Sequence, residues 1–97
     1  MKGKQGRKRY EVLLSEQAER SKEKLPPAIQ KAIEDKLEWL AENVHAIRHE
    51  RLKGLPYFSL HLGQYRIAYQ IDHSQGQIHV CDLGKHDEVY RRLARLS

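Results

Sequence analysis

Between residues 57 and 72 the chain alternates large apolar and smaller or polar side chains with a period of two, across one two-residue break. Phe58, Leu60 and Leu62 alternate with Tyr57, Ser59 and His61. After Gly63-Gln64, the residues Tyr65, Ile67, Tyr69 and Ile71 alternate with Arg66, Ala68, Gln70 and Asp72. Only an extended backbone places every second side chain on one face. A two-residue break containing glycine fits a tight hairpin turn. His73-Ser74-Gln75-Gly76 predicts a second turn, and residues 77–81 a third strand with Ile78 and Val80 inward. Three consecutive strands with short turns form an antiparallel meander, which excludes an all-helical fold.

The pattern before this meander is different. Pro26-Pro27 punctuates the chain, and proline suits a first helical turn. Ile29, Ala32, Ile33, Leu37, Leu40 and Val44 then recur at helical spacing, predicting a helix over 27–43. Trp39 lies at the edge of that stripe and is expected to pack on the sheet. Residues 10–14 predict a short strand, with Ser15 as N-cap of a polar helix over 16–24. After Gly84, a last helix is expected from about Asp87, with Val89, Leu93 and Leu96 inward. Arg91, Arg92 and Arg95 are expected to face water.

The expected fold class is therefore α+β, in the order β-α-α-β-β-β-α. It is a small antiparallel sheet with two N-terminal helices packed on one face and a short C-terminal helix. Helices cover one sheet face in this reading. Ser59, His61, Arg66, Ala68, Gln70, His79 and Cys81 form the other, polar face.

A chain of 97 residues suits one domain, with boundaries at 10–97 behind a flexible basic arm at 1–9. Residues 1–9 carry five basic side chains and no acid. The arm reads either as a phosphate-binding tail or as a solubility device. Residues 10–50 hold 6 basic against 9 acidic side chains, and residues 51–97 hold 7 against 4. The half containing the meander is thus the basic one, which favours an anionic partner. No apolar run approaches the length of a membrane span, and the basic start lacks the apolar core of a secretory signal. The single cysteine, Cys81, excludes an internal disulfide and fits a reducing, cytoplasmic setting.

His45 and His49 stand at i, i+4, but no third ligand accompanies them and no metal site is expected. Cys81 has no activating partner nearby and reads as a packing residue. Phosphate-binding glycine loops are missing, and no cofactor is expected. The chemically suggestive set is Lys53, His61, Arg66, Lys85, His86 and Tyr90. Alternation puts His61 and Arg66 on the same face across the hairpin. His86 and Tyr90 are four residues apart, so both lean over one sheet edge. Arginine and lysine suit a scissile phosphate, histidine a proton transfer, and tyrosine a base. Each also has a plain structural reading: Arg66 paired with a carboxylate, Tyr90 in the core, His61 on the surface.

The segments Leu52-Lys53-Gly54-Leu55-Pro56, Ser59-Leu60-His61-Leu62-Gly63-Gln64-Tyr65-Arg66-Ile67-Ala68-Tyr69-Gln70-Ile71 and Leu83-Gly84-Lys85-His86-Asp87-Glu88-Val89-Tyr90 resemble the RelE/ParE toxin superfamily of type II toxin–antitoxin systems. The resemblance runs from Tyr10 onward and includes the order of elements. It implies a toxin of the RelE-like branch, which enters the ribosomal A site and cuts mRNA without a metal. In that chemistry the 2′-hydroxyl attacks the adjacent phosphate. Arg66 resembles the family arginine that stabilises the transition-state phosphate. Tyr90 resembles the tyrosine that stacks on or orients the substrate. His86 falls where the leaving group is served, and His61 falls on a strand lysine and is the candidate base. Lys53, Lys85 and Arg91 are the expected RNA-binding cations. The partners implied are a cognate antitoxin with an acidic amphipathic segment, and the ribosome with its mRNA. The ParE branch shares this fold and targets DNA gyrase by protein binding. The His86 and Tyr90 pair favours the RNase branch.

Overall fold

The computed structural model describes residues 9–96. All of the expected basic arm except Arg9 lies outside the described residues. Arg9 is exposed and pairs with Glu38 and Glu42 at 3.7 and 3.4 Å.

The elements are β1 (Glu11–Leu14), α1 (Glu16–Glu23), α2 (Pro27–Glu42), β2 (Glu50–Arg51), β3 (Phe58–Leu62), β4 (Tyr65–Asp72), β5 (Gln77–Lys85) and α3 (His86–Leu96). They form one five-stranded sheet in the order β1-β5-β4-β3-β2. The α+β class, the hairpin and the two N-terminal helices follow the sequence reading. Ser15 caps α1 as its spacing requires, with its side chain accepting from the Ala18 amide at 3.0 Å. The same hydroxyl donates to the Cys81 carbonyl at 2.8 Å, tying the helix start to β5.

Several expectations are corrected. β1 pairs with β5 in parallel, so the sheet is mixed. β2 adds a short edge strand, pairing Glu50 with Ser59 and Arg51 with Phe58. β5 runs four residues past Cys81, and α3 starts at His86. The α2 and β1 edge also differs: Trp39 is 40% exposed, with Lys36 Nζ 4.4 Å from its ring centroid.

The largest correction concerns the second sheet face. Helices α1 and α2 cover one face, burying Ile33, Leu37 and Leu40 against Ile67, Tyr69, Ile78, Val80 and Leu83. Helix α3 covers the opposite face, where Leu52, Ala68, Val89 and Leu93 form a second core. Ser59 and Ala68 are consequently buried, not part of an open polar face. Gly84 allows this approach. Its φ is +143°, and a Cβ there would meet the Arg92 guanidinium at 3.5 Å and Val89 at 3.7 Å.

A bulge in β5 shifts the register. Ala68 pairs with Asp82 but Tyr69 pairs with Val80, leaving Cys81 as the extra residue. Burial raises the Cys81 thiol above its ordinary range, and neighbouring Asp82 adds to this. Both effects oppose thiolate chemistry.

Arg92 also departs from expectation. It lies across the sheet, not in water, with Nε donating to Asp82 Oδ2 at 2.7 Å. Asp82 is fully buried and also accepts from Ser21 Oγ at 3.0 Å and from the Leu83 amide at 2.8 Å. One carboxylate thus joins α1, β5 and α3.

His49 has no ligand role to spare. Its Nε2 meets the Val44 carbonyl at 2.8 Å and its Nδ1 meets the Tyr69 hydroxyl at 2.6 Å. His45 instead stacks on His73, with centroids 5.7 Å apart. Burial raises the Tyr69 phenol to about 12, and Glu50 adds to the shift. The fold therefore favours the neutral phenol. That contribution is fully present below pH 10, the ordinary value, and is lost as pH rises through about 12. Tyr69→Phe is expected to flatten stability over this window and to cost about 1 kcal/mol at neutral pH for the lost hydrogen bond. Urea titrations of both proteins at neutral pH and across the alkaline range check it. An unchanged alkaline slope in the variant counts against the assignment.

Candidate functional site

The open end of the sheet, where β3, β4 and β5 meet the start of α3, holds most of the suggestive residues. Arg66 and His61 are Cα partners across the β3–β4 hairpin and share the face that α3 covers. His86 begins α3, and its amide donates to the Gln64 carbonyl at 3.2 Å, holding the helix start against the hairpin turn. Tyr90 follows one helical turn later. Its hydroxyl donates to the Lys53 carbonyl, pinning the loop before β3 to α3. Gly54, at φ +77°, makes the turn that lets Tyr90 come this close, its Cβ position lying 3.8 Å from the hydroxyl.

These residues enclose a cleft of about 610 Å³ lined by Lys53, Arg66, His86, Asp87, Tyr90 and Arg91. A smaller recess of about 220 Å³ adjoins it, lined by His61, Gly63, Gln64, Tyr65, Arg66 and His86. Arg66 and His86 belong to both. Lys53, Arg66 and Arg91 are permanent cations, and Asp87 is the one acid among the lining residues. The first turn of α3 adds the positive end of a helix dipole. An anion is the ligand such a cleft attracts.

Six of the seven expected site residues therefore come together. Lys85 does not. It pairs with Tyr65, one residue out of phase with Arg66, so it belongs to the other sheet face and lines neither recess. Its expected RNA contact has no place in this cleft.

The side chains are arranged for distinct tasks. Among the described residues no carboxylate pairs with Arg66; its guanidinium Nη2 donates to His61 Nε2 instead. His86 Nδ1 lies 3.1 Å from Asp87 Oδ1, which orients the ring. Tyr90 is half-buried, and because its hydroxyl is engaged, the ring face is what it offers to a ligand. Sequence reasoning missed one contributor, Asp87, which was read as a helix-start residue only. On the same sheet face Ser59, whose alternation suggested a surface position, is buried with its hydroxyl unpartnered among the described residues.

The family model for the ParE toxin of type II toxin–antitoxin systems (parDE) matches residues 12–90. The chain belongs to this family of toxins, within the RelE/ParE superfamily. Among solved structures it is similar to a mutant of the Escherichia coli toxin RelE in the free state. That match has 25% identity, a TM-score of 0.74, and covers 90% of this chain and 96% of that one. It is also similar to a chain of the toxin–antitoxin complex RelBE2 from Mycobacterium tuberculosis, with 26% identity and a TM-score of 0.67, covering 80% of this chain and 92% of that one. The intact E. coli RelBE toxin–antitoxin complex shares the fold at 24% identity and a TM-score of 0.68, covering 78% and 95% of the two chains. No curated protein sequence matches.

Proposed function

We propose that this toxin is a ribosome-dependent mRNA endoribonuclease. The observation that carries the reading is the cleft itself, where an arginine, two histidines and a tyrosine converge with Lys53 and Arg91. Arg66 holds the scissile phosphate and stabilises the charge that grows on its oxygens. His61 takes the proton of the 2′-hydroxyl, the 2′-oxygen attacks phosphorus, and the bond to the 5′-oxygen breaks. His86, supported by Asp87, gives its proton to that oxygen. The products are a 2′,3′-cyclic phosphate and a free 5′-hydroxyl. Tyr90 stacks on a base, and Lys53 and Arg91 hold flanking phosphates. The partner that restrains the toxin is an antitoxin, as in the RelBE complexes of similar fold.

Toeprinting of mRNA on programmed ribosomes tests this. Added protein is expected to give new cleavage ends with cyclic phosphate termini, and His86→Ala to lower the rate by about 10²-fold. Ribosomes with intact mRNA after long incubation refute the reading.

The family match itself supports a second reading, inhibition of DNA gyrase by protein binding. A supercoiling assay with purified gyrase separates the two.

A further inference from the structure

Two buried polar atoms on the sheet face that carries the cleft have no partner among the described residues: Ser59 Oγ and Arg66 Nε. Ser59 is 6% exposed. It pairs with Ala68, while His61 pairs with Arg66, so Ser59 and Arg66 are diagonal neighbours on one sheet face. Diagonal pairs lie within reach of a long side chain. A guanidinium N–H donor and a hydroxyl acceptor, both unpartnered among the described residues, therefore stand at diagonal positions of one sheet face.

The rest of the Arg66 guanidinium is engaged elsewhere. Nη2 donates to His61 Nε2. A guanidinium only donates, so His61 accepts through the lone pair that a general base needs. In this arrangement the phosphate holder and the base occupy each other.

We propose that Arg66 is a two-position latch and that Ser59 is its second seat. The inference rests on reading the cleft as an RNA phosphate site. In the free toxin Arg66 lies on His61. When a phosphate enters, the guanidinium turns its Nη groups to the anionic oxygens and its Nε–H donates to Ser59 Oγ. That motion satisfies both unpartnered atoms and frees His61 Nε2 to accept the 2′-hydroxyl proton. Ser59 is thus a positioning residue. It touches Arg66, not RNA, and the base is exposed only when a phosphate is seated.

Nitrogen NMR on the labelled full chain tests the latch. The probes are inorganic phosphate and a 2′-O-methyl trinucleotide, whose attacking hydroxyl is blocked. In wild type, either probe is expected to shift the His61 Nε2 resonance away from its hydrogen-bonded position and to slow exchange of the Arg66 Nε proton. Ser59→Thr keeps the hydroxyl and retains the slowed exchange. Ser59→Ala loses it, and on ribosomes lowers kcat about tenfold with KM unchanged. A His61 resonance that stays put in wild type at saturating probe overturns the latch, whatever the variants do. So does a Ser59→Ala protein whose Arg66 proton is slowed as in wild type. If the resonances move but mRNA stays whole, the latch stands and the endoribonuclease reading fails. If mRNA is cut while the resonances stay put, the latch alone fails.

Discussion

Arg66→Ala is expected to relieve growth arrest and to lower mRNA cleavage by about 10²–10³-fold or more, while the chain still folds. The size follows from placement. Arg66 is the permanent cation that lines both the main cleft and its adjoining recess. Among the described residues that line the cleft, Arg66 is the fixed cation on the sheet floor, since Lys53 stands on a loop and Arg91 on α3. The fold should tolerate the change because Arg66 makes no ion pair among the described residues and its Nε is already unpartnered. Arg66→Lys retains the charge but loses the planar two-pronged donor, so intermediate activity is expected. Cleavage kinetics and a thermal melt should be measured on the same preparations. Full toxicity in a folded Arg66→Ala protein removes the arginine from the mechanism.

The largest effect on stability is expected far from the cleft, at Asp82→Ala. The buried carboxylate accepts from Arg92 Nε at 2.7 Å, Ser21 Oγ at 3.0 Å and the Leu83 amide at 2.8 Å. Removing it leaves two donors unpaired and leaves the guanidinium only the longer contacts to Ser21 Oγ at 3.3 Å, the Leu83 carbonyl at 3.4 Å and Glu88 at 4.0 Å. Breaking one partner out of a fully buried pair costs about 3–5 kcal/mol, and the partial exposure of Arg92 puts this site at the lower end of that range. In a domain of this size each kcal/mol is worth roughly 4–8 °C in Tm. Asp82→Asn should cost less, because its carbonyl oxygen still accepts. The hydrogen bond to Asp82 raises Arg92 above its already high ordinary range, so the guanidinium stays charged. By contrast the exposed Lys31–Asp35 pair, at 2.8 Å, is solvated on both sides and should contribute little to stability. Equal, small losses at the two sites would show that the Asp82 network carries no special weight.

The β3–β4 hairpin and α2 were legible because their side-chain periods are long and clean. The pairing of His61 with Arg66 followed directly, and with it the centre of the cleft. β2 was not legible, because Glu50-Arg51 is two polar residues with no pattern to read. Nor could the spacing of Val89 and Leu93 say which sheet face α3 would choose. That choice depends on Leu52, Ala68 and Gly84 offering a shallow bed for it. Arg92 was misjudged, and Asp82 passed over, for a related reason. Charged residues read singly predict exposure, and their mutual burial appears only when β5 and α3 are seen together. Lys85 was misplaced by parity, since a residue one step from Gly84 on an extended strand faces the other way.

The pairing of β1 with β5 also has a consequence for how the toxin comes into being. Glu11 is seated on Gln77, so the first strand made waits for nearly the last. His86 and Tyr90 come later still. During synthesis the emerging chain can assemble α2 and the β3–β4 hairpin, but it holds an unpaired N-terminal strand and an unfinished cleft. The cleft is therefore completed only once β5 and the first turn of α3 have been made. A ribosome-stalled version ending before residue 77 is expected to leave β1 open to protease.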